Sequence, residues 1–315
     1  RVARTVTEED PVGCDRRDQA RETGDHETGP EQRAPAPLVG ERRRCERQHG
    51  ADPDRLAAAL AGDGAAMAEV SRELASHVAA MAAAAPGGPL RIRLVDLAVE
   101  WVGDGWAVAG GEQPLGLRGV RLALVAPWLL AAQAGAVAAL RRPATSLLVP
   151  MVSHPAELRE VDRILEGTPG AGDVSVAAMV ETPRAALCTG SLAAVASQLS
   201  VGSNDLTQFT WGLSRDLDGE LGAQYRALGA WERSPFETLD VAGVVRLIAL
   251  AVETGRAANP DLGVSLCGEQ AADPASIAIA VQLGIDELSV SPSRVPATRL
   301  AAAQAALDLE ATRTR

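Results

Sequence analysis

Residues 174–215, VSVAAMVETPRAALCTGSLAAVASQLSVGSNDLTQFTWGLSR, decide the fold. The stretch reads as two consecutive strand-then-helix units. Each strand ends on one carboxylate: Glu181 after the apolar run VSVAAMV, and Asp205 in SVGSNDLTQ after SQLSV. In a parallel α/β sheet or barrel the strand ends lie together at the C-terminal face, where active sites are assembled. Two acids there can share one ion, and a hard divalent cation such as Mg²⁺ takes one or two carboxylates and leaves the rest to water and substrate. Each acid alone has a plainer reading as a helix N-terminal residue favoured by the macrodipole, since Pro183 opens one helix and Asn204-Asp205 would cap the other.

The same alternation continues on both sides. PLRIRLVDLAVEWV reads as the first clear strand, with Ile92, Leu94 and Leu97 among its apolar positions. SLLVPMV at 146–152 is a buried parallel strand, and further strands fall at 198–201, 263–267 and 287–290. Helices follow at 128–142, 154–167, 183–196, 205–212, 241–258, 273–284 and 295–312. Counting from Arg91 gives seven βα-like units, one short of an eight-stranded barrel, and strands alternating with helices predict an all-parallel sheet. Residues 54–85 have helical spacing interrupted by Gly62-Asp63-Gly64, and one or two amphipathic helices on the outer ring satisfy that pattern. Residues 1–53 are rich in Arg, Glu, Asp, Gly and Pro and bury too little apolar surface to offset ordering entropy, which predicts a disordered tail followed by a domain over 54–315.

Composition narrows the function. A net charge of −11 argues against nucleic acid or an anionic membrane surface as the main partner. Lysine is absent, which excludes a lysine Schiff base and a P-loop lysine, while arginine's planar fork still suits carboxylate and phosphate oxygens. Cys14, Cys45, Cys188 and Cys267 show no CxxC spacing, the plain reading of a reducing cytoplasm. No apolar run reaches the roughly 20 residues that span a bilayer.

Five ordered motifs, MVETPRAAL, VGSNDLTQFTWGLSRD, SPFETLD, LCGEQAADP and SVSPSRVPATRLAAAQAAL, resemble the C-terminal phosphoenolpyruvate (PEP)/pyruvate-binding barrel of pyruvate, phosphate dikinase, a member of the PEP-utilising enzymes. The resemblance implies a TIM-type (β/α)8 barrel and the half-reaction between pyruvate and PEP, with the phosphoryl group exchanged with a histidine. It implies Mg²⁺ held by Glu181 and Asp205. It places Arg93 (in RIRLVD), Arg118 (in PLGLRGVRLAL), Asn204 and Arg215 (in TWGLSRD) against substrate, and Cys267 (in LCGEQ) as the acid/base for the methylene carbon, with Glu269 and Gln270 behind it. A homodimer is implied as well.

Several features depart from the family pattern. GEQAADP stands where GEHGGDP is usual, and LGLRG where a GHRG-like motif is usual. No GIGLxRTE first strand precedes Arg91, so that strand is either divergent, with APLVGE at 36–41 a weak candidate, or missing. No TxGGxTSHAA-like segment or ATP-grasp region is present, and His26, His49, His77 and His154 lack such a context. The phosphohistidine is therefore expected from elsewhere. Two other readings stay open: a Mg²⁺-dependent carbon–carbon lyase of the malyl/citryl type, and a non-catalytic dimerising remnant.

Overall fold

The computed structural model describes residues 4–7, 52–85, 88–102, 105–108 and 115–313. The candidate strand at 36–41, Cys14, Cys45 and all of the expected tail except residues 4–7 and 52–53 lie outside these residues. In chain order the elements are β1 (Arg4–Thr7), α1 (Pro53–Leu60), α2 (Gly64–Ala84), β2 (Leu90–Arg93), β3 (Val99–Val102) and β4 (Gly105–Val108). Next come α3 (Val120–Val125), α4 (Pro127–Ala139), β5 (Thr145–Val149), α5 (Pro155–Glu166), β6 (Ser175–Val180), α6 (Pro183–Leu187) and α7 (Thr189–Ala193). The chain ends with β7 (Gln198–Gly202), α8 (Ser203–Trp211), α9 (Asp218–Ala227), α10 (Val244–Ala258), β8 (Gly263–Cys267), α11 (Pro274–Gln282), β9 (Glu287–Val290) and α12 (Val295–Arg313).

Local chemistry explains where many helices start. Asp52 and Asp63 cap α1 and α2 by accepting from Asp54 N at 3.0 Å and Ala65 N at 2.8 Å, and the turn between the helices passes through Gly62 at φ +97°. His154 caps α5, its Nδ1 accepting from Ala156 N at 3.1 Å, while Glu157 reaches back to the His154 backbone in a capping box. This histidine thus has a structural task.

The strand order β2-β5-β6-β7-β8-β9 follows the chain without reversal, and every pairing in it is parallel; β1 pairs in parallel with the far side of β9. Crossovers repeated in one direction put the connecting helices on one face by the usual right-handed rule, leaving the other to be closed by the sheet's own curvature. Alternation along the strands follows from this. Val176, Ala178, Val180, Val264 and Leu266 belong to the main core under the helices. Leu148, Ala177, Met179 and Cys267 form a separate cluster on the inner face.

One inner side chain measures the curvature. Arg91 on β2 donates from Nε to Gln198 Oε1 on β7 at 2.7 Å, and from Nη1 and Nη2 to Glu287 on β9 at 3.0 and 2.5 Å. In a flat sheet five strand spacings would separate β2 from β9 by about 24 Å, far beyond an arginine's reach.

An eight-stranded barrel is not formed among the described residues. No pairing joins β1 to β2, and the chain from Leu90 onward supplies six strands to this sheet, not seven. The surplus unit came from counting helices: both α8 and α10 lie between β7 and β8. PLRIRLVDLAVEWV is also two strands. β2 stops at Arg93 because Gln133 of α4 takes over the backbone there, donating to Arg93 O at 2.9 Å and accepting from Val95 N at 3.1 Å. The chain then leaves the sheet for the antiparallel hairpin β3–β4. A second core of Leu56, Ala59, Val70, Leu97, Val99, Leu122, Ala126 and Leu129 joins α1 and α2 to this excursion. Among the described residues no helix is long and apolar enough to cross a membrane.

Candidate active site

Glu181 follows Met179 and Ala177 in the inward phase of β6, one residue past the strand end, and is 2% exposed. Two backbone features make room for it. Gly202, at the end of the neighbouring β7, lies so close that a Cβ there would meet Glu181 Oε2 at 2.5 Å and Glu181 Cβ at 2.8 Å. Met151, just past β5, adopts φ +59°, a left-handed conformation costly for a non-glycine residue, and its N–H donates to Glu181 Oε1 at 2.6 Å. Burial pushes the Glu181 pKa well above its ordinary 4.5, the charges of Asp205 and Asp96 push it the same way, and the Met151 N–H and Arg93 only partly offset them.

Asp205 sits in the first turn of α8, and neither it nor Asn204 caps that helix, whose N-cap is Gly202. Asn204 Oδ1 instead accepts from Glu269 N at 3.2 Å, which ties the end of β7 to the loop after β8. Gln208, one turn further along and buried, donates to Asp205 Oδ1 at 3.0 Å and accepts from Arg215 N at 2.8 Å. Arg215 therefore joins the cluster through Gln208. Behind it, Trp211, Tyr225 and Trp231 pack as stacked and edge-on rings in a small core with Leu213 and Phe236.

Arg93 is the last residue of β2 and lies electrostatically beside Glu181. Arg118 stands in the loop before α3, where Val99 N donating to Leu117 O at 2.9 Å fastens it. Its guanidinium is buried in a two-pronged bond to Asp96, Nε to Oδ1 at 2.9 Å and Nη2 to Oδ2 at 2.7 Å, with Nη1 3.6 Å from Asp205 Oδ1. Burial works against the Arg118 charge, but the bond and charge of Asp96 and the charges of Asp205 and Glu181 outweigh it, so its pKa is raised.

Cys267 ends β8 in register with Gly202, is 5% exposed, and its thiol lies 3.3 Å from Val201 O and 3.6 Å from Ser200 Oγ. The next residue, Gly268, has φ +109°, and a Cβ there would meet Ser203 Oγ at 2.3 Å. Gln270, which replaces the family's usual histidine, is fully buried; it accepts from Ser203 Oγ at 2.7 Å and donates to Pro235 O at 2.8 Å, so the loop stays pinned despite the change. Cys188 is half-buried in the helical turn after α6, away from the strand ends.

Five sequence-predicted residues, Glu181, Asp205, Arg93, Arg118 and Cys267, thus gather around the carboxyl ends of the strands or the loop beside them, and Asn204 and Arg215 are tethered to the same rim. Asp96 and Gln208 were missed. Asp96 lies inside the quoted RIRLVD and Gln208 inside SNDLTQ, so the motifs held the signal; nothing local marks Asp96 as the partner of a residue 22 positions away, whereas the spacing of Gln208 three residues after Asp205 could have found it.

The donor set suits a hard divalent cation. A buried carboxylate disfavoured by two neighbouring acids is relieved by positive charge, and two carboxylates meet what Mg²⁺ asks of a protein. No group of three or more His, Cys, Asp and Glu side chains placed to hold a metal occurs among the described residues.

A singly wound parallel sheet with acids and arginines clustered at the carboxyl ends of its strands defines an α/β domain of the barrel-derived kind. The family model for the PEP-binding domain of PEP-utilising enzymes matches residues 62–307, and the chain belongs to that family. It is 40% identical over 209 residues to pyruvate, phosphate dikinase 2 of Oryza sativa subsp. japonica, covering 61% of this chain and 24% of that protein. Chloroplastic pyruvate, phosphate dikinase of Flaveria pringlei is 41% identical over 209 residues, covering 60% and 22%. The chain thus spans about a quarter of the length of these relatives. A citrate lyase structure from Burkholderia xenovorans aligns with a TM-score of 0.39 at 19% identity, covering 55% of this chain and 52% of that one, too slight a likeness to carry an argument.

Proposed function

We propose that this domain binds pyruvate and PEP and interconverts them, exchanging the phosphoryl group with a phosphohistidine carried on a segment outside this sequence. The observation that carries the reading is the buried Glu181 carboxylate, which feels the charges of Asp205, Asp96, Arg93 and Arg118. Glu181 and Asp205 would hold Mg²⁺, which as a Lewis acid stabilises negative charge developing on the enolate oxygen.

The chain's own residues supply the rest. Arg118, locked in its charged form, and Arg93 meet the negative charge spread over phosphoryl and carboxylate oxygens, and Arg215 adds a third cation from the arm after α8. Asn204, with its carbonyl oxygen engaged by Glu269 N, keeps its amide nitrogen to donate to substrate beside Asp205. Cys267 gives or takes the proton at the methylene carbon, and its burial excludes bulk water from that carbon.

Titration calorimetry with oxalate, a planar mimic of enolpyruvate, tests this reading. Binding is expected to require Mg²⁺ and to disappear in Glu181→Gln and in Asp205→Asn. Metal-independent binding, or none in the unaltered chain, overturns it.

A further inference from the structure

We infer that Ser203 is the positioning residue that sets Cys267 for proton transfer, with Gln270 fixing Ser203 in turn. The inference rests on the proposed reading of Cys267 as the acid/base at the methylene carbon. Cys267 is the last residue of β8 and pairs with Gly202, the last of β7. The pairing of these two strands ends there. Ser203, the first residue of α8, then takes up the strand end through its side chain, its Oγ donating to Cys267 O at 2.6 Å. The same hydroxyl reaches Gln270 Oε1 at 2.7 Å, so one hydrogen serves two carbonyl oxygens in a three-centre bond.

Ser203 and Gln270 are both fully buried, where polar groups keep their place only with partners. Gln270 is held from its other end, its Nε2 donating to Pro235 O at 2.8 Å. The Ser203 hydroxyl is thus fixed between the strand end that carries the thiol and a side chain anchored in a third segment. Gly268 makes the approach possible, because at φ +109° it adopts a backbone suited to glycine and a Cβ there would run into Ser203 Oγ. Asn204 Oδ1 grips the far side of Gly268 by accepting from Glu269 N at 3.2 Å. Asn204 also has a part to play at the substrate in the proposed function. Ser203 does not, since both acceptors of its hydroxyl lie in residues 267–270, and its effect falls on the backbone that carries Sγ. Proton transfer tolerates little error in that placement, and about 1 Å of displacement can slow a reaction on the order of a hundredfold.

The test is alkylation of the whole chain by bromopyruvate in the presence of Mg²⁺, followed at Cys267 by mass spectrometry. The Cys267 thiolate displaces bromide from the carbon that corresponds to the methyl group of pyruvate, so the half-saturating concentration reads binding and the limiting rate reads the placement of Sγ. Ser203→Ala is expected to lower the limiting rate about tenfold, with half-saturation and Mg²⁺-dependent oxalate affinity within about twofold of the unaltered chain. Ser203→Thr, which keeps the hydroxyl, is expected to restore the rate. Gln270→Met is expected to lower the rate as well and to add little to Ser203→Ala, because both act through one hydroxyl. Three results each overturn the inference: an unchanged limiting rate in Ser203→Ala, a loss shared equally with oxalate affinity as a merely structural residue would give, or full additivity of the two variants. If Ser203→Ala does not fold, Gln270→Met alone decides, and an unchanged limiting rate there overturns the inference. Failure of the unaltered chain to take a saturable label at Cys267 removes the proposed role of that cysteine and this inference together, whereas failure confined to the Ser203 and Gln270 variants removes this inference alone.

Discussion

At the amino ends of the strands Arg91 meets Gln198 and Glu287; at the carboxyl ends Arg118 meets Asp96, Asp205 and Glu181. Both clusters lie in or on the rim of the same sheet interior, and both combine arginine with carboxylate. The lower one closes on itself: one guanidinium bonds one carboxylate with two prongs and one amide oxygen, the charges cancel, and the side chains stitch β2 to β7 and β9. The upper one does not close. Asp96 takes both prongs of Arg118, Asp205 pairs more loosely with the same guanidinium, and the burial of Glu181 makes its charge expensive. Polar groups buried in balance hold a fold together, whereas a buried carboxylate whose charged form is disfavoured is suited to completion by another group, here a cation and an anionic substrate in the proposed function.

Substitutions at the two ends should separate these roles. Glu287→Ala leaves the part-buried Arg91 guanidinium without its counter-charge and should lower unfolding free energy by about 3 kcal/mol in a denaturant titration. A loss below 1 kcal/mol would mean that the lower cluster is not what holds the curled sheet. Gly202→Ala drives a methyl group into Glu181 and should cost about 1–3 kcal/mol of stability, with Mg²⁺-dependent oxalate binding weakened in parallel. Unchanged binding would show that Glu181 can move without consequence.

Glu181→Gln should do the reverse of Glu287→Ala. Removing the disfavoured charge is expected to stabilise the cation-free chain by about 1 kcal/mol at a pH above the folded Glu181 pKa while abolishing oxalate binding, a trade of stability against function. Destabilisation there would make the two ends equivalent. The smallest effect is the pH dependence of the same pair. Because the folded Glu181 pKa is raised, the native state holds a proton that the unfolded chain has lost, so stability contributed by that group is full below 4.5 and declines as pH rises through the folded value. Melting curves of the cation-free chain should show this decline, and Glu181→Gln should flatten it.

Parts of this comparison were legible beforehand and parts were not. The apolar run VSVAAMV and the stretch SQLSV located β6 and β7, and the position of Glu181 one residue beyond a strand put it on the carboxyl rim. The LCGEQ and RIRLVD motifs brought Cys267 and Arg93 to the same rim. Arg91, one turn of the alternation earlier, reads locally as a second strand arginine, and nothing near it in sequence announces a partner 196 positions away. The expected seventh βα unit failed for a related reason: helix spacing between residues 203 and 258 is strong, but α9 and the aromatic core around Trp231 occupy that stretch without a strand in the sheet.

What the sequence determined by itself is the alternation of strands and helices and which end of each strand its functional residue occupies, because both depend on neighbours within a few residues and on the fixed periods of the backbone. Only the tertiary structure decided that Arg118 bonds Asp96 and merely faces Asp205, that Gly202 lies under Glu181, and that Arg91 crosses the interior to Glu287. Those contacts depend on strand register and on how tightly the sheet curls, quantities set by the packing of the whole core and encoded at no single position.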